Sequence, residues 1–209
     1  MNELINECKK AAYEVYDTFD ASHDIDHIKR VMKNAEEICV TEPTVNEYVV
    51  TLGVLLHDID DPKYKEEHNL SAKEILETNG AEEKLVEQVL ACIESVSFSG
   101  GNAREITSVE GAIIRDADRL DAIGAVGIAR AFAFGGAKGR KLYVSDEVAR
   151  NQMSEVEYRE KETATVTHFY EKLLLLKDLM VTNEGKRLAE QRHQYMVGFL
   201  EQLAGEIGQ

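Results

Sequence analysis

From Leu4 to Leu203 apolar residues return at intervals of three and four, and alternation at intervals of two is scarce. That period describes one face of an α-helix, not one face of a strand. Only two prolines, Pro43 and Pro62, stand in its way. The expected fold class is all-α. A first helix runs through Leu4, Ile5, Cys8, Ala11, Ala12, Val15, Tyr16 and Phe19, and Asp20-Ala21 loops out of it. Ser22 or Asp24 offers an N-cap to a second helix carrying Ile28, Val31, Met32, Ala35, Ile38 and Cys39. Thr41-Glu42-Pro43-Thr44 breaks that helix, and a third, about 45–58, is apolar nearly all round and should be central. A fourth, from about Leu70, ends at Asn79-Gly80, and a fifth carries Leu85, Val86, Val89, Leu90, Cys92 and Ile93. After a loop at 97–102, a sixth starts near Ser108 and continues through the small-residue stretch 122–133. Gly135, Gly136 and Gly139 then predict a second loop, and two long helices around 173–176 and 188–203 close the chain.

The length of 209 residues fits one domain, 1–209, with room for a real core. No apolar run approaches the ~20 residues that span a bilayer, and the first residues lack a basic n-region and apolar core, so no membrane is expected. Cys8, Cys39 and Cys92 are widely spaced within apolar patterns, as reduced core residues of a cytoplasmic protein would be. The net charge of −15 argues against a nucleic-acid partner. A phosphorylated substrate would have to be attracted by a metal and a few local cations, because the global field opposes it.

One stretch, Val54-Leu-Leu-His57-Asp58-Ile-Asp-Asp61, places an imidazole and a carboxylate at the end of an aliphatic run. Burying both is costly unless each has a partner. A bare His-Asp pair at a helix C-terminus would be an ordinary hydrogen bond, but two further clusters ask for the same explanation. They are His23-Asp24-Ile-Asp-His27 and Asp116-Ala-Asp118-Arg-Leu-Asp121, each beside an apolar helical face. Two imidazoles and two carboxylates form a mixed donor set suited to Mn²⁺, Fe²⁺, Co²⁺, Ni²⁺ or Zn²⁺ and less to Ca²⁺, with Mg²⁺ kept among the candidate ions. On a helical wheel Asp121 falls inside the apolar sector while Asp116 and Asp118 flank it, so periodicity leaves Asp116 and Asp118 as alternatives. Arg119 points away from that sector.

His27 in His-Ile-Lys-Arg-Val, the doublet His57-Asp58, and Asp118 in Ala-Asp-Arg-Leu resemble the H…HD…D signature of the HD-domain metal-dependent phosphohydrolases. The wider motifs His23-Asp24-x-x-His27-x-x-Arg30-Val31, His57-Asp58-x-x-Asp61-x-Lys63 and Asp116-Ala-Asp-Arg-Leu-Asp are similar to those of small bacterial members that split nucleoside triphosphates. The resemblance covers about 20–135, and more weakly a helical extension at about 150–207. It implies an α-helical bundle whose metal ligands are His27, His57, Asp58 and Asp118, with Asp118 preferred to Asp116 because it matches Ala-Asp-x-Leu. Asp121 would then support the ligands or cap the helix. Binuclear members use two further histidines between the doublet and the last aspartate; this chain has only His68 there, which favours one metal.

Around that site the resemblance and the spacing nominate four catalytic groups. His23, one turn before His27, could protonate a leaving phosphate; Asp61 and Glu66 would orient water or the general acid, and Lys63 would contact phosphate. Arg119, Lys138, Arg140 and Lys141 are the candidate substrate-binding cations, the last three as a clamp on the phosphates. The expected reaction is metal-dependent hydrolysis of a nucleoside or deoxynucleoside triphosphate to monophosphate and pyrophosphate. The alternatives are a nucleoside-monophosphate phosphatase or phosphodiesterase with the same ion, and a non-catalytic metal or nucleotide sensor. The partner is a small phosphorylated molecule, met by a monomer or homodimer. Base, sugar, physiological metal and oligomeric state are not written in these motifs.

Overall fold

The computed structural model describes residues 2–19, 23–61, 70–96, 105–150 and 163–208. These residues are helical, with no strand among them. They group into two compact units that divide within one helix, between Asp118 and Arg119.

The first unit holds α1 (Asn2–Tyr16), α2 (Ile25–Cys39), α3 (Glu47–Leu56), α4 (Ala72–Thr78), α5 (Glu83–Val96) and α6 (Val109–Asp121) as far as Asp118. Its centre is α3, which buries Val49, Val50, Leu52, Val54, Leu55 and Leu56 and packs against α1, α2 and α5. A helix apolar on every side has no other stable place. Gly53 lets α6 close on it: a Cβ there would collide with Ile114 Cδ1. The helix starts are set by short polar side chains. Asp24 caps α2 through the His27 amide at 2.9 Å, and Ser71 and Glu74 form a capping box on α4. Asn46 caps α3, while its own amide donates to Glu110 Oε1 at 2.9 Å and so ties the first turn of α3 to that of α6.

The second unit contains α7 (Gly124–Ala137), α8 (Thr165–Glu171), a 3-10 helix (Leu173–Leu179) and α9 (Asn183–Ile207). Here α9 packs on α7 and on the 3-10 helix. Three expectations need correction. The helix from Ser108 through 133 is two helices, because Gly124 has φ +75°, a left-handed conformation that ends α6 and starts α7. Gly135 and Gly136 belong to α7, so the loop begins only at Lys138. The helix around 173–176 is a short α-turn followed by 3-10 geometry, since a run of four leucines carries no period of its own. No single helix among the described residues is long and apolar enough to cross a membrane.

Candidate metal centre

Three helices of the first unit bring four ligand-type side chains together. Asp24 starts α2 so that His27 lies in its first turn, facing inward with no exposed surface. His57 is the C-cap of α3, and Asp58 follows it in a tight turn closed by Ile59 N–H to Leu56 O at 3.2 Å and Asp61 N–H to Asp58 O at 3.1 Å. Asp118 comes from the last turn of α6.

His27 Nε2 lies 3.3 Å from Asp58 Oδ2 and 3.6 Å from Asp118 Oδ1. His57 Nε2 lies 3.4 Å from Asp58 Oδ2 and 3.7 Å from Asp118 Oδ1. The donor atoms of His27, His57 and Asp118 all fall within 4.8 Å of one another. Bonds of about 2.0–2.2 Å to a central ion would hold neighbouring donors about 3–3.6 Å apart, and the observed separations run from 3.3 Å, within that range, to 3.7 Å, just beyond it. Yet His57 Nε2 and Asp58 Oδ2 are buried and have no hydrogen bond among the described residues, a costly state for polar atoms. The far side of the His57 ring explains its direction. Nδ1 lies 2.9 Å from the Val54 carbonyl, to which only an Nδ1–H can donate, so Nε2, toward the carboxylates, is the nitrogen an ion could take once its proton is lost. These residues fit a divalent cation of the kind expected.

The electrostatics agree. Burial works against a charged His57, but the Asp58 and Asp118 carboxylates and the Val54 carbonyl outweigh it, and its pKa is pushed up to about 9. Burial likewise opposes ionisation of Asp58, yet the His57, His27 and His23 imidazoles hold its carboxyl well below the ordinary range. Asp118 is also lowered: burial raises it, the His57 and His27 rings more than compensate, and Asp58 pushes back. A pair of carboxylates this close to each other's field calls for positive charge between them.

His23 is half-buried, its ring 5.5 Å from that of His27. Asp61 is half-buried at the end of the turn after the doublet. Lys63 and Glu66, and with them His68, lie outside the described residues. Asp116 is fully buried on α6, and it is Asp118 that faces the two histidines. Arg119 does not point outward as the wheel suggests; it is 5% exposed because its guanidinium donates to the Leu179 carbonyl at 2.6 Å, at the end of the 3-10 helix. Asp121 is buried and pairs with Arg130 at 2.7 Å. Lys138, Arg140 and Lys141 belong to the second unit, where Lys138 and Arg140 sit over the Phe134 ring at 5.8 and 5.4 Å. Two residues escaped notice in the sequence. Asp60 Oδ2 accepts the Ala72 amide at 3.1 Å and anchors the start of α4. Asn34, 4% exposed, sits on the apolar stripe of α2, and a lone amide in that stripe was the available signal.

Comparison with known proteins gives this arrangement a class. The HD domain family matches residues 24–123. YpgQ of Bacillus subtilis is 38% identical over 192 residues, covering 90% of this chain and 85% of that protein. The chain belongs to the HD-domain family. Among solved structures, a Lactobacillus plantarum protein superposes with a TM-score of 0.85 at 30% identity, over 100% of this chain and 98% of that one. An HD-superfamily hydrolase from Bacillus thuringiensis gives 0.76 at 35% identity, over 99% and 98%. YpgQ in complex with ADP gives 0.75 at 33% identity, over 97% of each chain.

Proposed function

We propose that the protein is a metal-dependent phosphohydrolase acting on nucleotides, cutting nucleoside or deoxynucleoside triphosphates to monophosphate and pyrophosphate. The observation that carries this reading is the convergence of His27, His57, Asp58 and Asp118 from three helices, with His57 Nε2 and Asp58 Oδ2 buried and lacking hydrogen bonds among the described residues. The hydrolase relative from B. thuringiensis supports the reaction class, and the ADP held by YpgQ supports a nucleotide. Those four residues would hold a divalent ion, which when bound would supply Lewis-acid chemistry toward phosphate and water.

The chain's own groups do the rest. The buried His27 and His57 imidazoles and the half-buried Asp58 and Asp118 carboxylates would hold that charge between them. His23, half-buried with its ring 5.5 Å from that of His27, is assigned to protonating a departing phosphate or holding a nonbridging oxygen. Asp61 closes the turn after the doublet and is assigned with Glu66 to orienting water, and Lys63, Lys138, Arg140 and Lys141 are assigned to the phosphates on charge alone. The buried free thiols Cys8, Cys39 and Cys92 fit the reducing cytoplasm in which we place the protein.

The test is phosphate and pyrophosphate release from a panel of nucleoside tri-, di- and monophosphates and a phosphodiester, with Mn²⁺, Mg²⁺, Co²⁺ or Ni²⁺ added. Pyrophosphate with monophosphate supports the proposal. Orthophosphate from monophosphates would replace it by a phosphatase, and no metal-stimulated turnover of any phosphate ester would discard the hydrolytic reading.

A further inference from the structure

At the end of α3 the last carbonyls lose their helical partners, as at any helix terminus. Each is taken by a specific group. The Val54 carbonyl accepts His57 Nδ1–H at 2.9 Å, and that of Leu56 accepts the Ile59 amide at 3.2 Å. The carbonyl between them, Leu55, accepts the hydroxyl of Tyr16 at 3.1 Å. Tyr16 arrives from α1, has no exposed surface, and its ring is braced edge-on by Phe19 at 5.3 Å. One buried hydroxyl therefore ties α1 to the last turn of α3, just before the doublet.

A second buried polar group does the equivalent between α2 and α6. Asn34 lies two turns along α2 from His27, on the same stripe, and its Nδ2 donates to the Ala117 carbonyl at 3.0 Å. Ala117 immediately precedes Asp118. Apolar packing alone tolerates sliding of helices past each other by fractions of an ångström, whereas a directed hydrogen bond does not. A lone amide in an otherwise apolar stripe costs free energy to desolvate and is understandable where it sets register.

We infer that Tyr16 and Asn34 are positioning residues of the metal centre: Tyr16 aims His57 and Asp58 from the end of α3, and Asn34 locks the helix of His27 to that of Asp118. This rests on the metal reading above. The roles are separable from general stability because the ligands must agree within a fraction of an ångström to share one ion, while the fold need not.

Calorimetric titration of the chelator-stripped full chain with Mn²⁺ tests it, beside thermal melting of the same metal-free samples. Tyr16→Phe keeps the ring and removes the oxygen; Asn34→Leu keeps the volume and removes the amide. Each is expected to weaken Mn²⁺ binding by about tenfold or more, the usual consequence of losing a group that orients a ligand. Ile75→Val, a core truncation on α4, serves as the control, lowering the melting temperature while leaving affinity within about twofold. Folded Tyr16→Phe and Asn34→Leu proteins with affinities as close to wild type as the control would overturn the inference. If Asn34→Leu does not fold, Tyr16→Phe decides alone. Absence of Mn²⁺ binding by the unaltered chain would be a different failure, that of the metal reading, and would take this inference with it.

Discussion

The His57 ring makes metal binding a proton exchange. Its Nδ1–H is committed to Val54, so the proton that titrates sits on Nε2, the atom an ion needs. With the Asp58 and Asp118 carboxylates beside it, that proton is held up to about pH 9, against about 6.5 for a histidine in an unfolded chain. The sign follows. In the metal-free protein this raised pKa contributes stability that is fully present below about pH 6.5 and is lost as the pH rises toward 9. A divalent ion must displace the proton, so its apparent affinity should climb about tenfold per pH unit over the same window. From pH 6.5 to pH 8.0, about 1.5 units, Mn²⁺ should bind about 30-fold more tightly, equivalent to about 2 kcal/mol. Calorimetry at pH 7 in buffers of different ionisation enthalpy would report the release directly, and about one proton per ion is expected. An affinity flat between those pH values, with no proton released, would refute the reasoning.

Other outcomes follow from the same geometry. Replacing Asp118 with Ala or His27 with Ala should abolish detectable Mn²⁺ binding and metal-stimulated turnover, read by titration and product assay; retention of either activity would remove that residue from the ligand set. Saturating Mn²⁺, at about 100 times its Kd, should stabilise the protein by about 2.7 kcal/mol and raise Tm by about 5–10 °C, an increase that a chelator reverses. Gly124→Ala forces a side chain into a left-handed conformation and against Arg192, 3.0 Å from the added carbon, so denaturant melts should register a loss of about 1–2 kcal/mol or more. Arg130→Ala leaves Asp121 buried without its cation and should cost about 3–5 kcal/mol, less if Asp121 is made apolar at the same time.

How much of this could be read beforehand depends on what each residue's partner is. The faces of α1, α2, α3 and α5 were legible because their burial repeats with the helical period, and α3 stood out by lacking a polar side altogether. The ordered motifs named four ligands on three elements, which the fold brings within contact of one another. Periodicity could not choose between Asp116 and Asp118, since both flank the apolar sector and the choice is made by where α2 begins and α3 ends. Arg119 was misplaced because its charge is met by a distant partner, the Leu179 carbonyl, that no wheel displays, whereas Asp121 is as deep as the wheel suggests and pairs with Arg130. The break at Gly124 hid inside a run of alanines and glycines that is compatible with a continuous helix. Tyr16 looked like any apolar-face residue, because its hydroxyl acts 39 positions away.

The central claim is that two imidazoles and two carboxylates share one ion. Anomalous diffraction at the manganese edge from crystals grown with Mn²⁺ measures this directly. One peak is expected, about 2.0–2.3 Å from His27 Nε2, His57 Nε2 and an oxygen of each of Asp58 and Asp118. A peak bound elsewhere, or none at a concentration that saturates the calorimetric titration, would contradict the account.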